Sequence, residues 1–280
     1  RAAPLAAQAE DTDKIAELRS RAEKQQAAKR FNEYVVAALE LVDAVSDPDE
    51  KLTLLLEAAD LYTTKFSNAA EAVKCYEAIL AIDEGNEAAR DFLRQSYEKR
   101  RDWEKLIGLM RGEAASLPEG GERTDKFLEI ARLATERVKK PEVCIGLWQE
   151  VLESDAENGE ALGALAGLHE RAREYAPLAD ILEGQVAVTY DSAQQEQIYG
   201  KLGQLYGDRL NDDVKAVEAW RALLAINPND RKAQEAIKKK YLALGQWDEL
   251  EVFYAESGKW DEFIRLLESQ ESKETDEAAK

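Results

Sequence analysis

Large apolar side chains recur along this chain at the spacing of an amphipathic helix. In residues 73–80, 145–152 and 217–224 they stand at positions i, i+3, i+6 and i+7, which form one stripe along a helix. The three segments begin 72 residues apart, and their aromatic members are Tyr76, Trp148 and Trp220. The pattern therefore predicts three equivalent helices in an internal repeat.

A second aromatic series has the same period. Trp103, Tyr175 and Trp247 lie 72 residues apart, each where a helix is predicted to begin, and Phe31 lies one period before Trp103. When the two series are interleaved, equivalent positions of successive hairpins are separated by a shorter and a longer number of residues in turn. One shorter and one longer spacing add up to one period. This predicts three double hairpins, at about residues 51–122, 123–194 and 195–266, after an N-terminal helical hairpin at 11–50.

Small residues and turn residues follow the same period. Ala59, Ala131 and Gly203 occupy equivalent places in the first helix of a hairpin, where a small side chain lets two helices approach closely. Polar segments mark the same point of each unit as a turn where a helix stops: they are residues 83–86, 155–158 and 227–230, and the first and third contain Gly85 and Pro228.

Several of these residues match a known repeat pattern. Leu202, Gly203, Tyr206, Ala216, Trp220 and Pro228 match the small and aromatic positions of the tetratricopeptide repeat, and the chain resembles that family over about residues 51–257. The resemblance implies an all-α fold, a right-handed αα-hairpin solenoid. Glu84 and Ala156 depart from the pattern, because they stand in place of its terminal proline. Half-tetratricopeptide repeats of RNA-processing scaffolds are an alternative.

The resemblance also implies which residues contact a ligand, because the first helices of tetratricopeptide hairpins line the concave side of the solenoid. The family's carboxylate clamp is not evident, since Glu57, Phe92, Glu129 and Ala164 stand where its residues are expected. The concave face is predicted to be acidic in its N-terminal part and more basic near Lys232. Its predicted partner-binding residues are Asp60, Thr63, Asp91, Gln95, Glu98, Arg132, Glu136, Glu170, Arg171, Gln204, Asp208, Glu235 and Lys239.

Composition narrows the class of partner. The 280 residues carry a formal net charge of −19, which repels nucleic acid and anionic membranes, because binding there depends on many contacts between Lys or Arg and phosphate. No apolar run approaches the roughly 18 residues of a transmembrane helix. Other proteins are therefore the predicted partners, within a multi-protein complex as one possibility.

Candidate chemistry is sparse. His169 is the single histidine and stands at the position of Tyr97 and Tyr241, so it is interpreted as a packing residue rather than a catalytic base. Cys75 and Cys144 lie two hairpins apart and are predicted to be buried and unpaired. The sequence therefore predicts no metal site, no cofactor and no enzymatic activity.

The sequence leaves the compartment and the exact role open. Residues 1–10 are predicted to be a flexible segment, 258–270 a terminal helix and 271–280 a disordered tail. Cytoplasmic, periplasmic and exported locations all remain open, with the first favoured. The leading hypothesis is a scaffold that binds segments of partner proteins on its concave face. The alternative is a structural subunit of a larger assembly, or a self-assembling repeat protein without a transient ligand.

Overall fold

The described part of the chain consists of helices. A computed structural model describes the backbone of residues 3–278 and the side chains of residues 12–272. This backbone contains no strand, and one π-helical turn (Tyr206–Leu210) follows directly on a helix. The α-helices are α1 (Ala3–Ala27), α2 (Phe31–Ala44), α3 (Pro48–Thr64), α4 (Ala69–Ile82), α5 (Glu87–Arg100), α6 (Trp103–Ser116), α7 (Gly121–Arg137), α8 (Pro141–Ser154), α9 (Gly159–Ala172), α10 (Tyr175–Val188), α11 (Ser192–Leu205), α12 (Asp213–Ile226), α13 (Arg231–Leu244), α14 (Trp247–Glu256) and α15 (Trp260–Ala278).

Two compact units divide these helices. Unit 1 spans Arg1–Lys139 and contains α1–α7, and unit 2 spans Lys140–Lys280 and contains α8–α15. Within each unit, helices pack mainly against their neighbours in the sequence, which confirms the predicted all-α fold of stacked αα-hairpins. The boundary falls inside the second predicted double hairpin, because α7 packs against α6 while α8 packs against α9.

The predicted turns are the N-caps of the helices that follow them. Asn86, Asn158 and Asp230 stand one repeat period apart and begin α5, α9 and α13. Their side-chain oxygens accept hydrogen bonds from the backbone N–H groups of residues 89, 161 and 233, at 3.1, 3.0 and 2.7 Å. Each bond satisfies an N–H group that the first turn of a helix leaves without a partner.

Both terminal segments differ from the simplest expectation. Helix α1 begins at Ala3, within the segment predicted to be flexible, and α15 continues to Ala278, through most of the predicted tail. Residues 1–2 and 279–280 lie outside the described residues. The flexibility of residues 1–10 and the disorder of residues 271–280 stay predictions.

A small residue opposite an aromatic ring sets the distance between two helices in unit 2. Trp220 on α12 is 4% exposed and lies against Gly203 on α11. A Cβ atom added to Gly203 would stand 2.4 Å from Trp220 Cε2 and 2.6 Å from Cδ2. Only a glycine therefore fits at this position while the indole keeps its place.

One buried position carries an aromatic ring with a polar tip in each repeat. Tyr97, His169 and Tyr241 are equivalent by the repeat period and are between 5% and 6% exposed. The Tyr97 hydroxyl donates to Glu77 Oε1 at 2.7 Å, Tyr241 accepts from Arg221 Nε at 3.2 Å, and His169 Nδ1 lies 2.7 Å from Glu174 Oε2. The position is thus a packing site whose polar atom is always paired, as predicted for His169.

Glu77 connects three helices of unit 1. Besides the Tyr97 hydroxyl, it accepts a hydrogen bond from Lys105 Nζ at 2.7 Å. Partial burial would raise the pKa of Glu77, but the bonds from Lys105 and Tyr97 outweigh it, and the pKa lies below its usual value. Folding therefore favours the ionised carboxylate.

We expect Gly203→Ala to destabilise unit 2 by about 1–3 kcal/mol, because the added methyl group overlaps the Trp220 indole and forces the helices apart. Thermal and urea unfolding followed by circular dichroism measures the change. Gly200→Ala is the matched control on the same helix, since its Cβ would meet Leu223 at an ordinary 3.5 Å. We expect this variant to gain up to about 1 kcal/mol from helix propensity.

The double variant Gly203→Ala, Trp220→Tyr has a natural counterpart in unit 1. There Ala59 occupies the position of Gly203, and Tyr76 occupies the position of Trp220. Ala59 belongs to a buried core cluster, and the partly buried Tyr76 packs against that cluster. Trp220→Tyr should therefore recover part of the stability lost in Gly203→Ala. Additive losses in the double variant would contradict the assigned contact.

The hydrogen bonds of Glu77 predict a pH dependence. Since its folded pKa is depressed, its contribution to stability is complete above the unfolded pKa of about 4.3 and is lost as pH falls through the folded value. Glu77→Gln should lower the melting temperature at neutral pH. As pH falls from about 6 to about 3, the melting temperature of this variant should decrease less than that of the parent protein. Glu84→Gln, at an exposed turn residue, is the control. Parallel pH curves for all three proteins would disprove the prediction.

Candidate functional site

The first helices of the hairpins lie side by side within each unit. In unit 1, Arg19 of α1 forms a two-point ion pair with Glu50 of α3, at 2.7 and 2.6 Å. In unit 2, Lys201 Nζ of α11 lies 3.8 Å from Glu170 of α9. The second helices are joined to one another in the same way, for example α4 to α6 through Glu77 and Lys105. In each unit, we call the side formed by its first helices (α1, α3, α5 and α7 in unit 1; α9, α11 and α13 in unit 2) the first-helix face of that unit.

Every predicted partner-binding residue lies on a first helix or on the π-turn that extends one. Thr63 is half-buried, and the others are exposed. They lie on α3 (Asp60, Thr63), α5 (Asp91, Gln95, Glu98), α7 (Arg132, Glu136), α9 (Glu170, Arg171), α11 with its π-turn (Gln204, Asp208) and α13 (Glu235, Lys239). Their role in binding, and the concave shape of this face, stay predictions.

The structure brings only some of these residues together. Glu170, Gln204 and Asp208 line one groove of unit 2, and Asp60 lines a groove of unit 1. Glu235 and Lys239 border a shallow depression along α13 that also includes Lys232 and Lys238. The remaining predicted residues are spread along their helices and share no one of these grooves.

The groove of unit 2, the α9–α11 groove, has a volume of about 580 Å³. Tyr175, Leu178 and Leu182 of α10 and Leu205 of α11 give it an apolar floor. Small residues on α9, such as Gly163 and Gly167, leave the space open. Charged and amide side chains form the rim: Glu170, Arg173, Gln185, Lys201, Gln204, Asp208 and Arg209.

A related groove lies two repeat periods earlier, in unit 1. This α1–α3 groove has a volume of about 420 Å³ and is lined by Gln26, Phe31, Tyr34, Leu56, Glu57, Asp60 and Leu61. The same two periods relate Phe31 to Tyr175, Tyr34 to Leu178, and Leu61 to Leu205. The two grooves are therefore the same feature of the repeat, built from a pair of first helices and the second helix between them.

A cation over an aromatic ring recurs at this place of the repeat. Lys65 Nζ lies 5.2 Å from the centre of the Phe31 ring. Arg137 stands over Trp103 at 5.4 Å, and Arg209 over Tyr175 at 5.3 Å. Both members of the pair recur once in every period. Such contacts contribute about 0.5–1 kcal/mol at exposed sites, and they hold the end of one first helix against the start of the preceding second helix.

The sequence predicted the aromatic half of this pattern, whereas the basic half became evident only in the structure. The ring positions Phe31, Trp103 and Tyr175 were identified by their period. The period of Lys65, Arg137 and Arg209 is equally regular, and a search for repeated charge as well as repeated apolar residues would have found it.

The rims of the two grooves differ in charge. Glu57 in the α1–α3 groove corresponds to Lys201 in the α9–α11 groove, and Asp60 corresponds to Gln204. In unit 1 the Tyr34 hydroxyl also donates a hydrogen bond to Glu57. Burial, and then this bond to a carboxylate, raise the pKa of Tyr34 above its usual value. At these two positions, the same geometry thus presents two carboxylates in unit 1 and a lysine and an amide in unit 2.

Other reactive side chains lie away from the grooves. Cys75 and Cys144 are buried and unpaired, and burial together with Glu71 raises the pKa of Cys75 to about 11. Between residues 12 and 272, no three His, Cys, Asp or Glu side chains are grouped as metal ligands. Within the described chain, no helix has the length and apolar character needed to cross a membrane.

No protein-family model matches the sequence, and a search of curated proteins gives no match. Similar solved structures include the crystal structure of MamA, which is 20% identical, with 65% of this chain and 97% of MamA covered and a TM-score of 0.34. YrrB, described as a TPR protein with an unusual peptide-binding site, is 14% identical over 66% of this chain and 91% of its own, with a TM-score of 0.32. The TPR domain of P58(IPK) is 14% identical over 90% and 73%, with a TM-score of 0.36.

The repeat is evident in the chain itself, because α4, α8 and α12 begin at residues 69, 141 and 213, and α5, α9 and α13 at 87, 159 and 231. Both series keep the period of the sequence, and the hairpins contain the small and aromatic residues of the tetratricopeptide pattern. The chain is therefore a helical-repeat protein whose hairpins resemble those of the tetratricopeptide fold.

Proposed function

We propose that this chain is a protein-interaction scaffold that binds segments of partner proteins on its first-helix face, the side predicted to be concave. Each hairpin buries its apolar stripe against its neighbours, and the outer surface of stacked hairpins then forms an extended binding surface. On this face a partner segment meets exposed polar side chains from several helices at once, and this suits a peptide or a helix better than a small molecule.

The recurrence of one groove at equivalent places of the repeat is the observation that carries this proposal. An apolar floor with a polar rim is the usual composition of a ligand site. Both groove volumes lie within the usual range of about 300–1,000 Å³. The aromatic floor residues, Phe31 and Tyr175, are half-buried, so part of each ring lines its groove.

A binding role also agrees with the state of the reactive side chains. His169 is buried, with its Nδ1 atom engaged by Glu174. The Cys75 thiol is buried and stays protonated at neutral pH. Neither groove is lined by a histidine or a cysteine. We therefore favour recognition over catalysis.

Site-specific photo-cross-linking in cells that express the chain tests this proposal. A photoreactive amino acid at Gln95 of α5 or at Gln204 of α11, both on the first-helix face, should form a covalent adduct with another protein. Matched probes at exposed second-helix positions, Gly108 of α6 and Gln149 of α8, should give little or none. Equal yields at all four positions, or no adduct at either first-helix position, would reject the proposal.

Exposed apolar side chains favour the structural-subunit alternative as a second candidate. Trp247, Val252, Trp260, Ile264 and Leu267 of α14 and α15 are between 39% and 51% exposed. Side chains of this size are often covered in an assembly, so copies of the chain could associate through these two helices.

Self-association of this kind depends on protein concentration. If it occurs through α14 and α15, the sedimentation coefficient should rise with concentration, and Ile264→Lys should remove the rise without lowering the melting temperature. The charge-neutral control is Ile264→Ala, which should weaken the rise only partly. A constant, monomeric sedimentation coefficient at all concentrations would exclude the candidate.

A further inference from the structure

The α9–α11 groove is rich in cations although the chain as a whole is strongly acidic. Its rim contains Arg173, Lys201 and Arg209 against only two carboxylates, Glu170 and Asp208. The chain has a formal net charge of −19. A groove with a surplus of positive charge is therefore a local exception, and it lies over an apolar floor.

The three cations are available to a ligand. Arg173 forms no ion pair with any of the described side chains. Lys201 approaches Glu170 only to 3.8 Å, and both side chains are about 60% exposed, so this pair is weak. Arg209 stands over the Tyr175 ring, an arrangement that leaves the edge of the guanidinium free to hold a carboxylate at two points.

The backbone at Arg173 belongs to the repeat rather than to a special feature of the groove. Arg173 ends α9 in the left-handed region, with φ of 60°, and the equivalent residues Lys29, Arg101 and Gly245 have φ of 55°, 57° and 65°. Glycine adopts this conformation most easily. Arg101 therefore offers a control position with the same backbone and the same side chain in unit 1.

We propose that the α9–α11 groove binds an acidic segment of a partner protein, whose apolar side chain enters the groove while flanking carboxylates contact Arg173, Lys201 and Arg209. This inference rests on the proposed function and specifies the partner's chemistry. The floor of Tyr175, Leu178 and Leu182 takes the apolar group. The three cations lie at the rim. In the partner segment, the carboxylates that flank the apolar residue would lie at the same place.

The α1–α3 groove provides a contrast within the same chain. It has a similar aromatic floor, but Glu57 and Asp60 stand at its rim, and like charges repel an acidic segment. We therefore expect the two grooves to differ in selectivity through Glu57 and Lys201, since Lys29 and Lys65 stand in unit 1 where Arg173 and Arg209 stand in unit 2. Lys201→Glu introduces into unit 2 the residue that unit 1 has at this position.

Fluorescence anisotropy with the full chain and labelled synthetic peptides tests the inference. The probe is a short peptide with one leucine flanked by aspartate and glutamate. One control peptide has lysine at the acidic positions, and a second has serine in place of leucine. We expect the acidic leucine peptide to bind at least about tenfold more tightly than either control, and added salt to weaken its binding.

Two charge reversals then locate the site. Arg173→Glu should weaken binding of the acidic peptide by about tenfold or more, while Arg101→Glu, the same substitution on the same backbone conformation in unit 1, should stay within about twofold of the parent. Unchanged melting temperatures show that both variants fold, as expected for exposed side chains.

Three results would overturn the inference: no binding of the acidic peptide, equal binding of the lysine peptide, or equal losses in the two variants. These results leave the proposed function standing if partners still cross-link to the first-helix probes, because the partner segment would then have a different chemistry. The absence of those cross-links would remove the proposed function itself.

Discussion

The close approach of a small residue to an aromatic ring is the constraint on which the rest of the structure depends. A single hairpin cannot bury its apolar stripe alone, so each second helix must pack against the first helices on either side of it. Gly203 beneath the Trp220 indole sets this distance in unit 2. Unit 1 places Ala59 and the smaller Tyr76 at the same positions. A change on one side of such a contact requires a matching change on the other.

Packing of this kind leaves few positions free to differ between repeats. The floor of the groove is fixed by the stripe of the second helix, and the cation over the aromatic ring recurs as Lys65, Arg137 and Arg209. The rim contributes little to the core, so its charge can change at little cost in stability. For this reason, the equivalent rim position can be occupied by Glu57 in unit 1 and by Lys201 in unit 2. The repeat thus supplies one geometry, and the rim decides what binds to it.

The sequence predicted the fold in detail because periodicity is local information. The regular spacing of apolar and aromatic residues predicted the helices and the role of His169 as a packing residue, and the polar segments predicted the turns between helices. The spacing did not give the grooves, because each one is formed by three helices, and the register shows which residues are equivalent but not which side chains converge. Arg173 illustrates the limit: at the end of α9 it resembles an ordinary turn residue. Its place at the rim becomes visible only when α10 and α11 are packed beside it.

The negative net charge of the chain makes the binding of acidic ligands more selective but does not prevent it. At physiological ionic strength, charges further away than about 8 Å are largely screened, so most of the excess negative charges act on a bound segment weakly. Arg173, Lys201 and Arg209 would act at contact distance, where screening is small. The distant charges still slow the approach of acidic chains. A segment without an apolar side chain for the floor of Tyr175, Leu178 and Leu182 gains too little from the cations to remain bound, so charge and apolar contact are needed together.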